Sequence, residues 1–113
     1  MYNYISIHSN DYTEKIKSAI LEQYLTRNLN FEKVRHLIFC KEFQGERIWL
    51  RGILADRDGN YAFHTLDGVE EINLIEIDLP VSISGMLAQE IEIIAVAIAR
   101  ELSWIIDKDH GLK

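Results

Sequence analysis

The hydrophobic period changes along this chain, and the positions of the changes constrain its fold more than any other feature. Between residues 34 and 79, apolar residues recur at every second position, which is the period of a half-buried strand. After Pro80 the period becomes three and four residues up to about Asp107, which predicts one long helix capped by Ser82 or Ser84. The chain is therefore expected to pack at least one helix against a sheet.

The first part of the chain predicts one strand followed by one helix. Residues 2–7 alternate between apolar and polar side chains, as a strand does. Asp11 and Glu14 have the spacing of a capping box, which predicts a helix start there and a helix end near residues 27–28. The apolar stripe of this helix is formed by Ile16, Ala19, Ile20 and Tyr24.

Four further strands are predicted between the two helices. The phase of the last run slips between Leu74 and Ile75, which predicts a bulge or burial on both faces. The order β-α-β-β-β-β-α predicts one α+β domain over residues 1–113, with a four- to five-stranded, mostly antiparallel sheet and two helices packed on one face. The four runs cover residues 34–43, 47–54, 61–66 and 71–79, with a turn at Gln44-Gly45-Glu46 between the first two.

Length and cysteine content limit the class of protein. A chain of 113 residues can bury one core of its own, and no stretch approaches the roughly 18 uninterrupted apolar residues of a membrane span. Its first residues lack the basic and apolar regions of a secretion signal. Cys40 is the only cysteine, so an internal disulfide and a cysteine-rich zinc site are excluded, and we expect a cytoplasmic location.

Charge is distributed unevenly between the two halves of the chain. Residues 1–51 contain eight Lys and Arg against six Asp and Glu, whereas residues 52–113 contain four against twelve. Between Asp56 and Glu92, nine acidic residues accompany one base, Arg57. Such a field repels nucleic acid phosphates and attracts basic proteins. We therefore expect a basic protein partner, with no direct nucleic acid partner and no membrane partner.

The stretch LADRDGNYAF, residues 54–63, begins like a calcium-binding loop. An EF-hand loop counted from Asp56 requires Gly at its sixth position and Glu at its twelfth, but these positions hold Tyr61 and Asp67. Asp-Gly is instead a strong hairpin signal. The stretch therefore predicts a turn and no metal site.

No complete catalytic or cofactor-binding motif is present in the sequence. His36 and Cys40 would share one face of a strand, but their backbones would be about 13 Å apart, too far for a catalytic pair. We therefore predict no catalytic residue, no cofactor and no metal. Two alternatives stay open: a small-ligand-binding or metal-dependent enzyme that uses His64, Asp67 and Glu71, and a homo-oligomeric interaction module built on the last helix.

Arginine and aromatic side chains share one face of the predicted hairpin. Arg47, Trp49 and Arg51 alternate with apolar residues and could bind a phosphate group. Because Glu42 and Glu46 lie nearby and would neutralise these charges, a solvated face is the preferred interpretation.

An acidic surface is the remaining candidate site. Acidic side chains often form no more than a solvated face, and that interpretation stays open. As a functional surface, it would attract a basic protein through charge and hold it through a few aromatic or arginine anchors. The predicted partner-binding residues are the acids Asp56, Asp58, Asp67, Glu70 and Glu71 and the anchors Arg57, Tyr61 and Phe63.

The chain resembles the small acidic immunity proteins of bacteria, which inhibit secreted toxins such as contact-dependent growth-inhibition nucleases. The resemblance rests on the acidic turn ADRDGN, the segment DGVEEINLIEID and the closing helix SGMLAQEIEIIAVAIARELSWIID, in one domain without a catalytic motif. It implies a cytoplasmic, non-enzymatic protein that binds a basic toxin domain and covers its active site or substrate surface. We expect a monomer or a homodimer.

Overall fold

Two α-helices and eight strands make up the described part of the chain. A computed structural model describes residues 3–56, 61, 68–80 and 83–107. Among these residues, no helix is both long enough and apolar enough to cross a membrane. The strands are β1 (Asn3–His8), β2 (Ile16–Lys17), β3 (Glu32–Arg35), β4 (Ile38–Phe43), β5 (Glu46–Ile53), β6 (Glu71–Ile72), β7 (Leu74–Leu79) and β8 (Ile105–Asp107), and the helices are α1 (Ser18–Asn28) and α2 (Gly85–Leu102).

Six of the strands form one antiparallel sheet in the order β3-β4-β5-β7-β1-β8. The two remaining strands, β2 and β6, pair with each other as a small second sheet beside the start of α1. The α+β class and the antiparallel sheet are confirmed. The main sheet has more strands than the four to five predicted, because several predicted elements are divided or end early.

Three local features divide or shorten predicted elements, and the predicted strand 61–66 lies, apart from Tyr61, outside the described residues. A turn at His36 and Leu37 divides the run 34–43 into β3 and β4, and Leu37 has a left-handed φ of 64°. Asn73 interrupts the run 71–79 and separates β6 from β7, whereas the predicted phase slip between Leu74 and Ile75 lies within β7, where both side chains are buried. Ser103 ends α2 with a φ of 57°, so residues 105–107 pair with β1 instead of extending the helix.

The first helix begins later than predicted. A 3-10 turn occupies residues 10–12, and α1 starts at Ser18, so the Asp11 capping box is wrong. The predicted apolar stripe is wrong in phase as well, because Leu21 and Leu25 are buried whereas Ile20 is 53% exposed. The local sequence favours an early helix start. Residues 16–17 instead form β2, which pairs with β6, so the helix begins after them.

Both helices pack on one face of the main sheet, as predicted. Ser84 caps α2 by accepting a hydrogen bond from the Leu87 amide at 3.1 Å, and the α2 stripe that begins at Leu87 is buried in the core. Lys41 lies on the same sheet face and forms an ion pair with Glu90 of α2 at 3.5 Å. The hydrophobic core therefore lies between the helices and this inner face of the sheet.

Gly52 of β5 allows α1 to approach the inner face closely. A Cβ atom at this position would lie 3.0 Å from Leu21 Cδ2 and 3.1 Å from Leu37 Cδ2, which is tighter than ordinary van der Waals contact. Since any larger side chain would push α1 or the β3–β4 turn away, this glycine sets the spacing between α1 and the sheet.

Candidate functional site

A row of polar side chains crosses four strands on the sheet face that points away from both helices, here called the outer face. Arg51, Glu76, Ser6 and Asp107 stand directly opposite one another on β5, β7, β1 and β8. Glu76 and Ser6 are fully buried, with 0% exposure. Because a buried ionisable group is costly unless it is paired, this outer-face row is the part of the molecule that most requires a functional explanation.

Arg51 holds the carboxylates at one end of the outer-face row. Its Nε donates to Glu76 Oε1 at 3.1 Å, and its Nη2 donates to Asp78 Oδ1 at 2.9 Å. Burial alone would lower the pKa of the Arg51 guanidinium, but the adjacent charges of Asp78 and Glu76 raise it above its ordinary value. The guanidinium therefore stays charged and compensates the fully buried Glu76.

Three tyrosines surround Glu76 on the outer face. The Tyr61 hydroxyl donates to Glu76 Oε1 at 2.8 Å, although 54% of Tyr61 is exposed. Burial, followed by this hydrogen bond, raises the pKa of Tyr61 to about 12. Burial also raises the pKa of Tyr4, with Glu76 as the next cause, and that of Tyr12, with Asp107 and Glu76 as the next causes. The tyrosines thus remain protonated donors beside the carboxylates.

Asn73 fixes the two segments that carry Tyr12 and Tyr61. Its side chain is buried, and its Oδ1 accepts from the Ala55 amide at 2.7 Å. Its Nδ2 donates to the carbonyl oxygens of Ala55 at 2.9 Å and of Tyr12 at 3.2 Å. Ala55 in turn forms an antiparallel bridge with Tyr61. One buried amide therefore positions both tyrosines over the sheet.

His8 lies at the other end of the row, between β1 and the edge strand β8. Its Nδ1 is 2.8 Å from the Ser9 carbonyl oxygen, and its ring stacks on Tyr12 with the ring centroids 4.1 Å apart. A carbonyl oxygen only accepts, so Nδ1 carries the proton and Nε2 is an acceptor in the neutral ring. His8 Nε2 lies 3.7 Å from Asp107 Oδ2.

The residues Ser6, His8 and Asp107 do not form a nucleophilic triad. In a triad the carboxylate orients one ring nitrogen and the serine hydroxyl contacts the other. Here the carboxylate of Asp107 faces Nε2, whereas Nδ1 is used by the Ser9 carbonyl. In the part of the chain that is described, Ser6 Oγ has no hydrogen-bond partner. The three side chains therefore lack the geometry of a Ser-His-Asp triad.

The predicted partner-binding residues lie in two separate places. Asp56 is exposed directly after Ala55, which forms an antiparallel bridge with Tyr61. Glu70 and Glu71 are exposed on the other side of the sheet, where Glu71 pairs with Lys17 of β2. The structure does not bring these acids into one patch. Arg57, Asp58, Phe63 and Asp67, together with His64, lie outside the described residues.

A groove of about 570 Å³ lies beside Glu70 and Glu71 at the start of α1. The Val69 carbonyl oxygen lies at its base and accepts from Ser18 Oγ at 2.7 Å and from His36 Nε2 at 2.6 Å. The groove is thus a concavity with mainly apolar walls and a few polar groups, of a size typical for small-ligand sites. Its lining residues are Lys17, Ser18, Ala19, His36, Gly68, Val69, Glu70 and Glu71.

Neither a metal site nor a reactive thiol is present among the described residues. Among the described residues, no group of three or more His, Cys, Asp and Glu side chains is arranged to hold a metal ion. Cys40 is buried, and burial raises the pKa of its thiol. A thiol with a raised pKa is a poor nucleophile at neutral pH.

Most members of the outer-face row were missed by reasoning from the sequence. Tyr4, Ser6 and His8 occupy alternate positions of β1 and therefore share a face, which the strand period could have shown. Glu76 is an acid inside the apolar run LIEIDL, which is a signal of a buried charge. What the sequence does not reveal is the register that brings Arg51 opposite Glu76.

Comparisons with known proteins identify no related protein. No protein-family model, curated protein or solved structure matches the chain. The proposed function therefore rests on the resemblance in sequence, the charge distribution and the outer-face row.

The raised pKa of Tyr61 gives a direct test of the outer-face geometry. In an alkaline titration followed by tyrosinate absorbance, one tyrosine should ionise near pH 12, and this step should disappear in Tyr61→Phe. Since an unfolded tyrosine ionises at about 10, the unfolded state loses its proton first, and stability falls as pH rises between about 10 and about 12. Tyr24→Phe is the control, and persistence of the late step in Tyr61→Phe would contradict this geometry.

Proposed function

We propose that this chain is a non-enzymatic binding protein of the immunity type, which inhibits a basic, nuclease-like toxin domain in the bacterial cytoplasm. Binding would cover the active site or the substrate surface of the toxin. The proposal combines the resemblance in sequence with the charge of the second half of the chain. The outer face of the sheet would form the centre of the interface with the toxin.

The outer face carries this proposal because it combines a carboxylate excess with an exposed aromatic side chain. Glu76, Asp78 and Asp107 lie around Arg51 on this face, and Arg47, further along β5, stands opposite a further acid, Glu42. Tyr61, which is 54% exposed, lies against them. Complementary charge accelerates association with a basic protein, and a held tyrosine is a common centre of binding energy in interfaces.

The hydrogen bonds within the row support binding rather than turnover. The Arg51 guanidinium is occupied by Glu76 and Asp78, and the Tyr61 hydroxyl is occupied by Glu76. Groups held in this way are rigid, and rigid anchors lose little conformational entropy when a partner binds. The same face is therefore well suited to present one fixed pattern of charge.

Capture of the partner from its native host tests the proposal. The chain, immobilised at low salt, should retain a basic protein that elutes as the salt concentration rises, because screening weakens charge attraction. The double variant Asp56→Lys and Asp107→Lys, which reverses two acidic charges at the outer face, should bind that protein about 10- to 100-fold more weakly.

A variant with the same net charge separates the effect of acids at the interface from the effect of the overall charge of the chain. Glu46→Lys and Glu101→Lys replace two exposed acids away from the proposed interface and change the net charge equally. We expect this variant to bind within about threefold of the wild type, since screened distant charges contribute little. Equal weakening by both double variants, or an acidic partner, would contradict the proposal.

A second candidate function is favoured by the groove beside α1. Glu71 and His36 line a concavity of about 570 Å³, which a small ligand could occupy. The alternative enzyme would use Glu71 in this groove, and its other predicted residues, His64 and Asp67, lie outside the described residues. Such an enzyme would inactivate its target at far less than one chain per target molecule. Titration of the target's activity with the purified chain measures this ratio.

A further inference from the structure

Three hydrogen-bond acceptors meet at the β1–β8 end of the outer-face row. Ser6 stands directly opposite Asp107, and His8 follows Ser6 on the same face of β1. His8 Nε2 is an acceptor in the neutral ring, because Nδ1 donates to the Ser9 carbonyl. A carboxylate oxygen, a hydroxyl oxygen and an imidazole nitrogen are thus gathered on one small area.

Two of these acceptors are buried without a hydrogen-bond partner within the described residues. Ser6 is 0% exposed and His8 is 6% exposed, and neither Ser6 Oγ nor His8 Nε2 has such a partner there. Buried polar atoms are nearly always hydrogen-bonded, and leaving one unpaired costs about 1–3 kcal/mol. A donor supplied from outside the described residues would remove this cost.

The edge strand β8 offers the route by which such a donor would enter. The Asp107 side chain is 19% exposed, and Ile105, directly opposite His8, is 50% exposed. β8 is the last strand of the sheet on this side, so no further strand covers this edge among the described residues. Ile105 provides an apolar surface on which an aliphatic side-chain stem can lie.

We propose that this end of the row, formed by Ser6, His8 and Asp107, is a subsite for a lysine ε-ammonium group of the basic partner. A lysine carries three N–H donors and no acceptor, which matches the three acceptors present here. Its methylene stem would lie on Ile105, and its positive charge would be opposite the Asp107 carboxylate. A planar guanidinium would require two parallel carboxylate bonds, such as Arg51 forms at the other end of the row with Asp78.

The source of this lysine rests on the proposed function, but the subsite can be tested without the partner. n-Butylammonium reproduces the end of a lysine side chain, and n-butanol is its uncharged counterpart. In NMR titrations of the wild type, n-butylammonium should give saturable shifts at His8 and Ile105, and n-butanol should not. Asp107→Asn and Ser6→Ala should each weaken this binding about tenfold, whereas the control Glu101→Gln should leave it unchanged.

The possible results separate the subsite from the proposed function. Saturable binding of n-butylammonium that depends on Asp107 and Ser6 supports the subsite, even if no basic partner is captured. Absence of saturable shifts, or equal shifts with n-butanol, overturns it and leaves a buried water molecule as the partner of Ser6. Where a captured partner is in hand, its affinity should fall about tenfold or more in Ser6→Ala. Unchanged affinity in a Ser6→Ala variant of wild-type stability would also overturn the subsite.

Discussion

Replacing Arg51 by methionine is expected to lower the free energy of unfolding by about 3–5 kcal/mol, because the fully buried Glu76 carboxyl group would lose its ion-pair partner. Methionine retains the aliphatic length of arginine, so little packing is lost. The loss can be measured by urea denaturation at neutral pH. Arg47→Met is the matched control, since Arg47 is exposed on the same strand and face, and its effect should stay within about 0.5 kcal/mol.

A double variant identifies the cause of that loss. Glu76→Leu in the Arg51→Met background removes the buried carboxylate that was left behind, and we expect it to restore about half of the lost stability or more. If Arg51→Met is as stable as the wild type, the ion pair between Arg51 and Glu76 does not hold the outer face together as described.

Asn73→Ala is expected to destabilise the protein by about 2–4 kcal/mol, because the buried N–H and C=O groups of Ala55 would both lose their partner. The same substitution releases the segments that carry Tyr12 and Tyr61. We therefore expect the pKa of Tyr61 to fall from about 12 toward its ordinary value, which the tyrosinate titration measures. The two effects should appear together, since they have one cause.

Asn28→Ala is the control for this substitution. Asn28 is exposed at the end of α1, and its replacement should change the stability by no more than about 0.5 kcal/mol. A stability loss in Asn73→Ala with the late tyrosine step unchanged would show that Asn73 does not position Tyr61.

Local patterns predicted much of the fold, and long-range pairing explains what they missed. The alternating runs, the Ser84 cap and the buried stripe of α2 follow from residues that are close in sequence. Leu37 and Ser103 adopt left-handed backbone angles, which are uncommon for residues other than glycine and are imposed by tertiary contacts. The position of β7 between β5 and β1 likewise depends on pairing between distant segments.

The candidate site was less predictable than the fold for the same reason. The charge asymmetry identified an acidic second half and selected Tyr61 as an anchor, but it could not show that Tyr61 contacts Glu76. The outer-face row exists only because β5, β7, β1 and β8 pair in one register. Glu70 and Glu71 show the converse. They belong to the same acidic segment of the sequence as Asp56, but in the fold they lie apart from it, beside α1.

The central claim, that the chain inhibits a basic partner by binding it, is tested most directly by titrating the captured partner's activity with the purified chain. For a tight binding protein, activity should fall in proportion to the added chain and reach its minimum at equimolar amounts. The Asp56→Lys and Asp107→Lys variant should require a large excess, while the Glu46→Lys and Glu101→Lys variant should behave as the wild type. Loss of activity at far less than equimolar chain, or no loss at all, would contradict the account.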